Sequence, residues 1–94
     1  WLGQKEYAVA LVLLLDDDNV SVRHAAIEAL ANLRSQEAVG PLIERLADPE
    51  ESIRKAALGA LETITGKNMR ESVPADEESR ERVIARWRSW WKGS

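Results

Sequence analysis

A chain that repeats its own side chains at a fixed interval has to fold into like units that stack, and this one repeats every 31 residues. Leu11, Leu15, Asp17, Ser21, Arg23, Ala25, Ala26, Ala29 and Leu30 recur as Leu42, Leu46, Asp48, Ser52, Arg54, Ala56, Ala57, Ala60 and Leu61. Similar pairs fill the gaps: Val12 with Ile43, Val22 with Ile53, and Leu33 with Ile64. Chance does not hold nine identities in one register without an insertion, so the two units are expected to share one local structure.

Within each unit the apolar positions follow helical spacing. In the second copy Ala38, Val39, Leu42, Ile43 and Leu46 form one stripe. Ile53, Ala56, Ala57, Ala60, Leu61 and Ile64 form another, at i, i+3, i+4, i+7, i+8 and i+11. Each unit is thus a pair of amphipathic helices. The stretches between them, Asp16-Asp17-Asp18-Asn19 and Asp48-Pro49-Glu50-Glu51, suit the end of one helix and the cap of the next. Pro41 has no N–H to give, so it should begin the regular part of its helix or kink it. On this spacing Val22, Ala25, Ala26, Ala29, Leu30 and Leu33 point inward, and the alanines let the paired helices approach closely.

A third copy begins and fades. Gly66 stops the helix after Ile64 and Thr65, Val73 stands where Leu11 and Leu42 predict leucine, and Pro74 ends the match. From about Asp76 a new amphipathic segment carries Val83, Ile84, Trp87, Trp90 and Trp91 along one side. Asp76, Glu77 and Glu78 near its start and Arg86, Arg88 and Lys92 near its end suit a helix dipole. The expected architecture is one all-α domain over residues 1–94, an α-solenoid of two hairpins. These run over about 4–34 and 35–65, with a linker at 66–75 and a capping helix at about 76–92.

Charge and composition narrow the chemistry. The net charge of −3 offers no global positive field to nucleic acid or an anionic membrane, although residues 67–94 hold seven basic and five acidic side chains. The absence of cysteine removes disulfides, thiolate zinc sites and a cysteine nucleophile. The apolar run from Tyr7 to Leu15 is too short to span a bilayer and lacks the flanks of a secretion signal, so a buried helix without a membrane role is expected. Trp1 in place of an initiating Met points to trimming or to a leader ahead of it. His24 is the only histidine and has no second ligand at metal spacing. A calcium loop starting at Asp16 would need an oxygen ligand at Val20, glycine at Ser21 and glutamate at Ile27, and all three fail. No acid, base and nucleophile cluster, so neither catalysis nor a metal or cofactor is expected.

The run Val22-Arg23-His24-Ala25-Ala26-Ile27-Glu28-Ala29-Leu30, then Glu37-Ala38-Val39-Gly40-Pro41-Leu42-Ile43-Glu44-Arg45-Leu46 and Ile53-Arg54-Lys55-Ala56-Ala57, resembles the short HEAT-like repeats first recognised in phycobilisome lyases. The resemblance covers about residues 4–66. It implies that the turn Asp and the Arg early in the second helix form a ladder along the stack, here Asp17 with Arg23 and Asp48 with Arg54. The ending, Ile64-Thr65-Gly66-Lys67-Asn68 and then Trp87-Arg88-Ser89-Trp90-Trp91, is similar to the closing segment of bacterial HEAT-repeat proteins. That implies that Trp87, Trp90 and Trp91 cover the last hairpin. Members usually stack more repeats, because a repeat buries its faces only against neighbours and about three are generally needed. The first helix carries Leu13 and Leu14 where the second hairpin has Glu44 and Arg45, so its apolar surface calls for a cover. Either a preceding repeat of a longer solenoid supplies it, or the chain self-associates through Tyr7, Leu13 and Leu14.

Solenoids bind partners on the exposed face of their second helices. That face holds His24, Ile27, Glu28 and Ala31 in the first repeat and, 31 residues on, Lys55, Leu58, Gly59 and Glu62. Arg23 and Arg54 are read as structural ladder residues rather than anion ligands, since a guanidinium matches a carboxylate. The expected function is a non-catalytic protein–protein interaction module. The alternatives are nucleic-acid binding through the basic, Trp-containing C-terminal helix and a lyase-type accessory subunit.

Overall fold

Each unit folds as a helical hairpin in a computed structural model that describes residues 4–67, 74 and 76–93. The first hairpin joins α1 (Gln4–Leu14) to α2 (Val20–Leu33), the second joins α3 (Val39–Arg45) to α4 (Glu51–Thr65), and α5 (Glu77–Gly93) follows. The fold is all-α, and most of the linker expected at 66–75 lies outside the described residues. A single 3-10 turn, Gln36–Ala38, precedes α3. Its cause is Pro41, the third residue of α3, which has no N–H for the carbonyl of Glu37. The chain therefore makes one tighter turn first, and Pro41 opens the regular helix rather than kinking it.

The two interhelix turns repeat atom by atom. Leu15 N–H donates to Val12 O and Asp17 N–H to Leu14 O, and Leu46 and Asp48 do the same to Ile43 and Arg45, all at 3.1 Å. Asp17 Oδ1 accepts the Asn19 N–H at 2.8 Å, and Asp48 Oδ1 accepts that of Glu50 at 2.9 Å. Arg23 Nη1 donates to Asp17 O at 2.7 Å, and Arg54 Nη1 to Asp48 O at 2.8 Å. Asn19 adds a cap to α2 by accepting from the Ser21 N–H at 2.8 Å, whereas Glu50 at the start of α4 gives no side-chain cap.

The ladder differs from the one the resemblance implies, because it runs between repeats and not within one. Arg23 meets only the main-chain oxygens of its own turn, Asp17 and Asp18. Its carboxylate partner is Asp48 of the second hairpin, with Nε 3.0 Å from Oδ2 and Nη2 donating to Oδ1 at 3.3 Å. Arg45 joins from the other side, 3.3 Å from Asp48 Oδ2, and donates back to Leu15 O at 3.3 Å. The physical reason is reach: Arg23 and Arg54 each spend one edge of the guanidinium on the carbonyls of their own turn, and the remaining edge of Arg23 faces the carboxylate of the stacked neighbour. Arg54 correspondingly uses the carbonyls of Asp48 and Pro49, and no carboxylate among the described residues stands at its buried Nε as Asp48 does at that of Arg23.

Packing follows this stack. α1 lies on α2, α2 on α4, α3 on α4, and α5 covers α3. Leu11, Leu15, Leu30 and their equivalents Leu42, Leu46 and Leu61 are all buried in one core. The inward assignment of Val22, Ala25 and Ala29 needs correction: Ala25 is exposed, and Val22, Ala29 and Leu33 are half-buried. Ile53 and Ala60, one repeat on, are buried because α2 covers their flank, whereas nothing among the described residues lies on the same flank of α2. Loop ends are tied across the repeats as well. Arg34, in the left-handed region at φ 51°, ends α2 and donates to Thr63 O at 2.9 Å, while Gly66 ends α4 at φ 73°.

α5 runs antiparallel to α3, with Arg88 bonded to Glu44 at 3.0 Å and Trp91 beside Gly40. It buries Val83, Ile84 and Trp87, the last at 0% exposure. Trp87 meets Trp90 edge to face at 5.9 Å, and Lys67 Nζ stands 5.3 Å over the Trp90 ring. The Trp87 indole N–H is buried without an acceptor among the described residues. At the start of α5, the Ser79 N–H donates to Asp76 Oδ2 at 2.8 Å, and this bond holds the Asp76 carboxyl below its ordinary 3.8.

These contacts set three expected outcomes. Arg23→Met or Asp48→Asn should each cost about 1–3 kcal/mol, since either change removes one charged partner from a buried group that keeps its others. Urea midpoints should show strong Arg23–Asp48 coupling, while Arg23 with the Asp17 side chain should be close to additive. Trp87→Ala should remove about 3–5 kcal/mol, most of the margin of a chain this small. Trp87→Phe, which deletes the unpaired N–H, should cost clearly less in the same assay. A carboxyl with a lowered folded pKa stabilises above its unfolded value and stops doing so as pH falls through the folded one. The Ser79 amide should therefore keep its exchange protection at neutral pH and lose it below the ordinary Asp range.

Candidate functional site

Two neighbouring helices that diverge from close contact leave a furrow whose walls are opposite flanks of the pair. Between α2 and α4 this furrow is a cleft of about 310 Å³, at the lower end of ligand-pocket sizes. α2 contributes His24, Ile27, Glu28, Ala31 and Asn32. α4 contributes Ala56, Gly59, Ala60 and Thr63.

The floor is apolar and small. Ile27 lies in it at 1% exposure, flanked by Ala60 at 4%. The reading of Ile27 as an exposed contact residue is thus corrected: α4 packs over it, and only its side toward the cleft remains open. The rim is polar. His24 Nδ1 sits 3.1 Å from Glu28 Oε1 across one helical turn, and both side chains are well exposed. Asn32 and Thr63 stand farther along, beside the Thr63 carbonyl that binds Arg34.

Gly59 gives the cleft its open wall. It lies inside α4, where glycine costs about 1 kcal/mol relative to alanine. Its φ is not positive, and a Cβ added there would meet nothing within 4 Å. No contact among the described residues therefore requires glycine at 59.

The structure brings together His24, Ile27, Glu28, Ala31 and Gly59 from the sequence candidates, and leaves out Lys55, Leu58 and Glu62. The reason is geometric. His24, Ile27 and Ala31 line the cleft from α2, and their equivalents Lys55, Leu58 and Glu62 fall on the flank of α4 turned away from it, whereas the equivalent pairs Glu28 with Gly59 and Asn32 with Thr63 both line the cleft. Lys55 instead lies 3.9 Å from Glu51, and Leu58 is half-buried against the core. Asn32, Ala56, Ala60 and Thr63 were missed. Ala56 and Ala60 had been placed in the inward stripe, and the signal for Asn32 and Thr63 was their equivalence at the 31-residue period, which does not say on which side a neighbour will lie.

The remaining candidates serve elsewhere. Asp17, Arg23, Asp48 and Arg54 sit at the interhelix turns, away from the cleft lining. Trp87 is buried and Trp90 and Trp91 are half-buried against it and each other, so the rings are turned to the protein and not set out in a row for bases. Among the described residues no group of His, Cys, Asp and Glu could hold a metal ion, and no helix is long and apolar enough to cross a membrane.

The model of the HEAT-repeat family matches residues 8–87, from within α1 into α5, and so includes the Arg23–Asp48 bridge, the cleft and Trp87. No curated protein and no solved structure matches the chain. HEAT repeats in general are scaffolds for protein interaction and carry no catalysis of their own. Paired helices repeating at 31 residues, bridged turn to turn and matched over most of their length, place this chain in the HEAT-repeat family.

Proposed function

We propose that the chain is a non-catalytic protein-interaction module that receives its partner in the cleft between α2 and α4. The observation that carries this reading is Gly59, a helix-interior glycine that no contact among the described residues explains, on the wall of an apolar-floored cleft. A bare backbone there lets a partner's main chain or an apolar side chain come close, while His24, Glu28 and Asn32 supply donors and acceptors at the rim. Such a mixture of apolar floor and neutral or paired polar rim suits a peptide or helix better than a phosphate backbone. The rim has one acidic side chain and no unpaired cation. The bare flank of α1, with Leu13 at 72% exposure and Tyr7 and Leu14 also exposed, is a second interaction surface in the same reading, for self-association or a further repeat.

Gly59→Arg tests the cleft. Because a side chain at 59 meets open space, the variant should fold at least as stably as the parent, by up to about 1 kcal/mol. It should lose the proteins that the parent captures from a lysate of the source cells, and retain none of them at raised concentration. Capture that is unchanged in a folded Gly59→Arg protein would move the site elsewhere. Capture of nucleic acid, with affinity falling steeply with salt, would replace the protein reading.

A further inference from the structure

Away from the cleft, α3 has a hollow on either side, and the two hollows share Gly40 and Glu44. One, of about 430 Å³, lies against α1 over Val12, Leu15 and Pro41. The other, of about 400 Å³, lies against α5 over Ile43 and Trp91. Side chains four apart on a helix form the ridge that keeps such furrows separate. On α3 that ridge is interrupted at Gly40. Proline disfavours the helical region for the residue ahead of it by clashing with its Cβ, and glycine has none, so α3 begins through Gly40 and Pro41. A Cβ at 40 would meet nothing within 4 Å. The two hollows therefore meet across bare backbone and form one groove over α3.

We propose that this groove binds an extended, proline-rich, uncharged segment of a partner protein, with one apolar side chain in each hollow. Spacing carries the choice of backbone. Furrows on the two sides of one helix lie about 8–10 Å apart, the distance between packed helices. A polyproline helix turns once in three residues and rises about 9 Å in doing so, so side chains i and i+3 leave one edge at that spacing. Along a β-strand, i and i+2 share a face at only about 7 Å. An α-helix is about 10–12 Å across, too wide for a crossing left by one residue beside the Glu44 side chain.

The lining selects the same segment by its chemistry. Trp91 and Pro41 are flat apolar walls, the kind of surface on which polyproline segments dock. The charges at the rim are already matched to one another. Arg88 Nη2 donates to both carboxylate oxygens of Glu44, at 3.0 and 3.1 Å, and Asp16 lies 3.4 Å from Arg45. A charged segment would have to break one of these pairs, and an uncharged one leaves both in place.

The groove shares no lining residue with the α2–α4 cleft, so the two sites are tested apart. The probe is a capped peptide, Ala-Pro-Leu-Pro-Pro-Leu-Pro-Ala, set against Ala-Pro-Leu-Pro-Leu-Pro-Pro-Ala, which has the same composition with its leucines two apart. Each is titrated into the full chain and followed by the NMR signals of the Gly40 amide, the Trp91 indole N–H and, as a control, the Gly59 amide. The first peptide should shift Gly40 and Trp91 saturably and leave Gly59 in place, at an affinity indifferent to salt. The second should bind about ten-fold more weakly, the worth of one apolar side chain left in water. Gly40→Gln, which restores the ridge, should abolish the Trp91 shift. The comparison of the two peptides needs no substitution and decides the matter if that variant unfolds. No binding, equal affinity for the two peptides, binding that weakens with added salt, or shifts at Gly59 in place of Gly40 would each overturn the proposal. So would Gly40 and Trp91 signals that move with protein concentration alone, since the groove would then belong to a second copy.

Discussion

A guanidinium taken out of water needs partners for both its hydrogens and its charge, and Arg23 finds them in two different repeats. Its own turn supplies carbonyl oxygens, and the next hairpin supplies the Asp48 carboxylate, which is closed in turn by Arg45 and the Glu50 N–H. Such a buried pair is weak evidence for added stability, because desolvation offsets much of the attraction. What it does is make misalignment costly. Slide one hairpin against the other by a turn, and Arg23 loses its carboxylate while Asp48 keeps only Arg45 of its own hairpin. The relation between α2 and α4, and hence the cleft between them, is set by that bridge.

The same logic explains why equivalent residues end up differently buried. In a stack each hairpin has two flanks, and only an interior hairpin has both covered. Here α5 takes the outer side of the second hairpin with Val83, Ile84 and Trp87, and the first hairpin has no such cover among the described residues. Ala25 and Ala56 are the same residue in the same helical position, yet one is exposed and the other packed against a neighbour. Arg54 shows the complementary effect at the other end: its local bonds copy those of Arg23, but α5 is not a further repeat and places no carboxylate at its Nε.

In the proposed function the cleft matters more than either helix alone. Its floor is rigid, since Ile27 and Ala60 belong to the core, and its polar rim is on side chains that can move without disturbing that core. A module of this kind supplies shape and a few hydrogen-bonding groups rather than reactive chemistry, in keeping with a HEAT-repeat family of scaffolds. The cleft is lined from both hairpins, so in the proposed function binding depends on the integrity of the whole stack.

The sequence by itself determined everything that depends on local period. The 31-residue repeat, the helix pairs, the stop at Gly66 and the aromatic stripe of α5 could be read directly, because helix formation and capping are decided within a few residues. Even the start of α3 follows from Pro41 alone. Tertiary structure decided every question of which flank faces which neighbour: Arg23 to Asp48 rather than Asp17, Ile27 inward rather than outward, and Ala56 and Thr63 rather than Lys55 and Glu62 on the cleft wall. A repeat in sequence states that two residues are equivalent, and equivalents share a flank. Contacts form between opposite flanks, and which opposite residue arrives there depends on the offset between stacked hairpins, a distance that no single helix encodes.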